Sequence, residues 1–201
     1  MVEQKIFGTP SNILVFPILI LILILILIMS SPVQATELEK TIGVCTECHG
    51  NGGLPSRPDI PIIHGQHYYY LYVQLKDYKA GRRDHEIMTD IVAGLTKEEM
   101  RALAKHFSEK TWPPNTLRVN DSDIAIAESA ASSGQCVQCH LGGYEGVSGV
   151  PRLAGQQTAY LERTMLEFRD KIRMNAQAKG SLFATYETTD IVTMARYFAG
   201  F

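Results

Sequence analysis

From Ile18 to Met29 every residue is apolar (ILILILILILIM), and no other apolar run in the chain reaches that length. Beyond it, apolar positions recur three and four apart. Tyr68, Leu71, Leu75 and Tyr78 form one stripe and Leu161, Met165 and Phe168 another, predicting helices over 66–79 and 156–169. Met100, Leu103, Ala104 and Phe107 form a third, opened by Thr96-Lys97-Glu98-Glu99, which has the spacing of a capping box. Ile191, Met194, Ala195 and Phe198 repeat it, with Thr188, Thr189 and Asp190 ahead of them to start a helix. No stretch alternates convincingly with period two, so the expected class is all-α.

The apolar run is of another kind. Lys5 precedes it, and Ser30-Ser31-Pro32-Val33-Gln34-Ala35 follows, giving the basic start, apolar centre and small-residue end of an export signal, with cleavage expected after Ala35. The alternative is an uncleaved anchor, since Ile13 to Met29 is 17 residues long. Pro17 interrupts that stretch, and roughly 20 apolar residues are needed to span a bilayer. Either reading places the remainder in an exported, oxidising compartment, the periplasm, with a membrane tether only if the segment is retained. The remaining 166 residues, Thr36 to Phe201, hold no second run of spanning length. A formal charge of −2 offers no strong field toward nucleic acid or an acidic membrane surface.

At an offset of about 90 the chain repeats itself. Pro61-Ile62-Ile63-His64-Gly65-Gln66 answers to Pro151-Arg152-Leu153-Ala154-Gly155-Gln156, Tyr70-Leu71 to Tyr160-Leu161, and Asp77-Tyr78-Lys79 to Glu167-Phe168-Arg169. The repeat predicts a signal segment at 1–35, a first domain at 36–112, a linker at 113–119 and a second domain at 120–201. Pro113 and Pro114 stiffen the connection. Domains of this size build marginal cores, so something else should be filling them.

The four cysteines of the chain lie in two copies of one pattern, Cys45-Thr46-Glu47-Cys48-His49 and Cys136-Val137-Gln138-Cys139-His140. A redox-active CxxC needs no histidine and usually sits in an α/β pattern, which is lacking here. A zinc site built from both pairs leaves the repeated histidine unexplained. Covalent attachment of haem explains all three residues in both copies. The cysteines form thioethers with the vinyl groups, and His49 and His140 become the iron ligands. Two haem c groups would also fill the two small cores.

The other face of each iron decides the chemistry, because a methionine or second histidine saturates it and leaves electron transfer. Beyond the signal segment, the methionines are 88, 100, 165, 174 and 194. Met100 corresponds to Ile191, Met194 to Leu103 and Met165 to Leu75, which are plain core positions. Met88 and Met174 remain, each after a basic stretch, as the expected axial ligands. His85 is the rival in the first domain. The second copy has no histidine after His140, which excludes a symmetric bis-histidine design. His64, His67, His85 and His106 otherwise read as surface or hydrogen-bonded residues.

CTECHG, PIIHGQ, KAGRRDHEIM and LTKEEMRALAKHF resemble the dihaem class I cytochromes c of the cytochrome c4 type, and are similar also to the cytochrome subunit of flavocytochrome c sulfide dehydrogenase. The resemblance implies two tandem class I cytochrome c domains with His/Met iron, and carbonyls of Pro61 and Pro151 that orient His49 and His140. His64 stands where the second copy has Ala154. Three functions follow. The first is an electron carrier with no substrate of its own, passing single electrons between redox partners such as a flavoprotein dehydrogenase, other cytochromes or a terminal oxidase. The second is the cytochrome subunit of a sulfide-oxidising flavoprotein complex. The third, a dihaem peroxidase, needs an open, histidine-switched haem.

Overall fold

The computed structural model describes residues 15–29, 32–114 and 118–201, so residues 1–14, Ser30 and Ser31 of the expected signal segment and Asn115, Thr116 and Leu117 of the expected linker lie outside the described residues. Packing divides the chain into Met1–Thr41 and Ile42–Phe201. In the first unit, α1 (Val15–Met29) exposes Phe16 and Ile18 to Ile24. No helix among the described residues is long and apolar enough to cross a membrane.

The helices that follow are α2 (Pro32–His49), α3 (Tyr68–Lys79), α4 (Glu86–Ala93), α5 (Lys97–Ser108), α6 (Asp121–Ser133), α7 (Cys136–His140), α8 (Thr158–Arg169), α9 (Gln177–Phe183) and α10 (Thr188–Ala199). Strands are absent among the described residues apart from one isolated bridge between Val147 and Val150. In the second unit the repeated order is a helix ending in CxxCH, a loop, a long helix, a short helix and a capped final helix. The first motif ends the continuous α2. The second stands on its own short α7, set off from α6 by Gly134 and by Gln135 in the left-handed region (φ 50°).

Both final helices start on capping boxes. Thr96 Oγ1 accepts from the Glu99 N–H at 3.2 Å while the Glu99 carboxylate accepts from the Thr96 N–H at 2.7 Å. In the second half the N-cap is Glu187, one residue ahead of the predicted start, and Asp190 returns the bond. The predicted stripes are the core faces: Met100, Leu103, Ala104 and Phe107 are buried on α5, and Ile191, Met194, Ala195 and Phe198 on α10. Met165 is likewise buried.

Helices α3 and α8 begin two residues later than predicted because Gln66 and Gln156 do other work. Gln66 accepts from the Arg152 N–H at 2.9 Å and donates to the Arg152 carbonyl at 3.0 Å. Gln156 does the same with Ile62, at 2.8 and 2.9 Å. Ile62 and Arg152 occupy equivalent places, so each half pairs with the backbone of the other around an approximate two-fold axis. His67 Nε2 bonds the Glu145 carbonyl at 2.8 Å, and Arg163 donates to the Asp59 carbonyl at 3.2 Å, extending the seam.

Candidate functional site

Both CxxCH motifs open on a single cavity of about 860 Å³ that runs through the main unit. In the first half its wall includes Cys45, Cys48, His49, Pro61, Leu71, Tyr78, Met88, Leu103 and Phe107. In the second half it includes Cys136, Cys139, His140, Pro151, Leu161, Met165, Phe168, Lys179 and Phe198. The lining is mostly apolar, because the same helical stripes that build the cores turn their inner edges toward it.

His49 Nδ1 lies 2.8 Å from the Pro61 carbonyl and His140 Nδ1 lies 2.9 Å from that of Pro151. A carbonyl only accepts, so Nδ1 carries the proton and Nε2 presents its lone pair. Burial lowers the pKa of both rings, that of His140 to about 4, which keeps each imidazole neutral. All four cysteines are free. Burial pushes the Cys45 thiol up to about 11 and raises that of Cys136. Among the described residues no group of three or more His, Cys, Asp or Glu side chains is placed to hold a metal ion.

Two arginines that sequence reasoning did not single out complete the cavity. Arg83 and Arg173 are both buried on its wall. Arg83 donates to Gln74 at 2.9 Å and to the Tyr160 hydroxyl at 3.2 Å, and stacks on Tyr78. Arg173 donates to Gln74 at 2.7 Å and to Asn175 at 2.9 Å, stacks on Phe168, and leaves Nη1 without a partner. Neither forms an ion pair with a carboxylate among the described residues. Burial pushes the Tyr160 phenol up, but the two guanidiniums outweigh it and bring it down to about 6. Two buried cations facing only amides and phenols call for anions. The macrocycle of haem carries two carboxylates, so an apolar cavity with thiols and an imidazole at one wall and a guanidinium at its edge fits that group in each half. Their signal in the sequence was the matched basic stretch before each methionine.

The residues expected on the far face are placed differently in the two halves. Met88, on α4, lines the cavity. His85 is the N-cap of α4, its ring accepting from the Met88 N–H at 3.5 Å, and also borders the cavity. Met174 lies in the loop after α8, is 60% exposed, and is not on the cavity wall. On that wall α9 presents Lys179 instead. Its ammonium lies 5.3 Å from the centre of the Phe168 ring, and burial lowers its pKa to about 8.

No family model matches the chain. A cytochrome c4 of Thiocapsa roseopersicina is 31% identical over 175 residues, covering 80% of this chain and 88% of the relative. A protein of Stutzerimonas stutzeri described as a thiosulfate dehydrogenase electron acceptor is 29% identical over 168 residues, 77% of each. The crystal structure of reduced cytochrome c4 from Pseudomonas stutzeri superposes with a TM-score of 0.70 at 26% identity, covering 83% of this chain and 97% of that one. Two CxxCH motifs, one all-helical body and this likeness over most of the chain agree: the chain belongs to the cytochrome c4 family, dihaem electron carriers with two covalently bound haem c groups.

Proposed function

We propose that the chain is an exported carrier whose first haem is held by Cys45, Cys48 and His49 with Met88 opposite, and whose second is held by Cys136, Cys139 and His140. The observation that carries this is the single cavity opening on both motifs. Bound haem supplies one-electron chemistry at iron. Pro61 and Pro151 hold the tautomers of His49 and His140, the apolar walls exclude water, and Arg83 and Arg173 neutralise carboxylates at the seam between the halves. The reciprocal glutamine pairs fix the halves together, so the two attachment sites would hold their groups in one mutual arrangement.

The periplasm is the proposed location, because the leader pattern and unpaired CxxCH thiols suit attachment after export. Cleavage after Ala35 belongs to the same proposal, as does the division into domains at 36–112 and 120–201. The relative described as an electron acceptor of thiosulfate dehydrogenase supports a partner of that kind, a dehydrogenase oxidising a small inorganic sulfur compound. A sulfide-oxidising flavoprotein is the second choice, carried only by the sequence resemblance. Mass spectrometry of the exported protein should give the polypeptide from Thr36 plus two haem groups. Reduction of the purified carrier by a thiosulfate-oxidising dehydrogenase, and not by thiosulfate alone, is the expected result in a stopped-flow assay. Rapid reduction by a sulfide-oxidising flavoprotein, with none by the first partner, would reverse the order.

A further inference from the structure

The two halves are in register by 90 residues at Arg83 and Arg173, both buried on the cavity wall. The turn before them is also matched, since the Arg83 N–H donates to the Asp77 carbonyl and the Arg173 N–H to the Glu167 carbonyl. After that point the second half is one residue longer. The first residues of α4 and α9, Glu86 and Gln177, are 91 apart. The N-caps of the final helices, Thr96 and Glu187, are again 91 apart. The extra residue therefore sits between Arg173 and Gln177, in the loop that holds Met174.

The consequence falls on the far face of the second haem. Met88 is the third residue of α4 and lies eight before its N-cap threonine; Lys179 is the third residue of α9 and lies eight before Glu187. Met174 instead follows Arg173 directly, at the place of Asp84, and is exposed. Lys179 shares its stretch of cavity wall with Ala176, Ala178, Leu182 and Phe183, as Met88 shares its own with Ile87 and Ile91. Among the described residues no carboxylate pairs with it. A lysine on the wall of the cavity that His140 also lines, at the register position of Met88 and without a carboxylate partner among the described residues, has a ligand's position.

We propose that Lys179, rather than Met174, supplies the sixth ligand of the second haem, giving one His/Met site and one His/Lys site in the same body. This rests on the reading of the chain as a dihaem cytochrome. On ligation the Lys179 ammonium gives its proton to solvent, and the freed lone pair of Nζ fills the iron's open position. An amine favours ferric iron where a thioether favours ferrous iron, so the second haem has the lower potential and electrons settle on the first.

The test uses the oxidised holoprotein, first shown by mass to carry both haems; lack of covalent haem would overturn the cytochrome reading itself. The far-red methionine–iron band should account for one haem of the two. Met174→Ala should leave that band, the electron paramagnetic resonance spectrum and both potentials unchanged. Lys179→Ala should turn one haem high-spin and let it bind carbon monoxide when reduced. Lys179→Met, which keeps the side chain's length, should double the band and raise the lower potential. A wild-type band with the intensity of two haems, loss of half the band in Met174→Ala, or an unchanged spectrum in Lys179→Ala would each overturn the proposal.

Discussion

In the first half the buried ring of His64 packs 5.6 Å from Phe107; in the second, Ala154 stands in its place and the ring of Tyr144 packs 4.6 Å from Phe198. The volume is conserved and its source is not. Tyr144 comes from the loop after the second motif and holds φ at 53°, and its N–H and carbonyl bond to Leu141, Leu153 and Ala154. The helices leading to the motifs differ in the same way. In the main unit α2 buries Ile42 and His49, whereas α6 packs against α10 through Ala127, Ala130 and Ala131. Duplicated units preserve the shape of the cavity and the register of its helices more faithfully than residue type. For that reason Met174, chosen by type, and Lys179, found by register, lead to different second sites.

The comparison can be broken or sharpened at several depths. Met88→Ala should have the largest effect, removing the entire methionine–iron band and opening the first haem to carbon monoxide, because in the second half Met174 is exposed and Met165 belongs to the core stripe of α8. Survival of half the band would restore symmetry between the halves. Next come the paired aromatics. Phe107→Ala and Phe198→Ala should each cost about 3–5 kcal/mol in denaturant melts of the holoprotein. The two losses should be similar, because each ring has two ring partners, His64 and His106 on Phe107 and Tyr144 and Tyr197 on Phe198.

A smaller, symmetric effect is expected at the seam. Gln66→Ala strands the part-buried backbone N–H and carbonyl of Arg152, and Gln156→Ala the buried pair of Ile62, costing about 1–3 kcal/mol apiece. Near-equal losses, with a double variant short of additive, would show that the two lock one interface. Strongly unequal losses would show that one half anchors the other.

The smallest effect belongs to the caps. Thr96→Ala should cost about 1 kcal/mol at neutral pH. The Thr96 backbone N–H, then its hydroxyl, hold the Glu99 carboxyl below its ordinary value. A folded pKa below the unfolded one means the stabilisation is present above the unfolded carboxylate range and is lost as pH falls through the folded value. The gap between wild type and Thr96→Ala should therefore narrow in acid. A gap independent of pH would remove the Thr96 hydroxyl from the hold on Glu99.

Much of this was legible beforehand. The core stripes on α5 and α10 follow from 3.6-residue periodicity, and the capping box at Thr96 from three-residue spacing. The two attachment motifs are contiguous in sequence, so no folding knowledge was needed to find them. Gln66 and Gln156 were visible only as a repeated pair, because their partners, Arg152 and Ile62, are distant in the chain. Arg83 and Arg173 were seen as basic residues on a flank, and nothing local marked them as buried.

The sequence by itself determined the helical class, the duplication and the placing of two thiols and an imidazole at each attachment site, since each rests on short-range spacing. Tertiary structure decided which side chains share a cavity with those imidazoles. A single added residue between Arg173 and Gln177 is taken up in the loop, so α9 keeps the register of α4 and presents Lys179 where α4 presents Met88. Met174 is thereby left in an exposed loop, while Lys179, fixed by its helix, comes to the wall at the place Met88 holds in the first half.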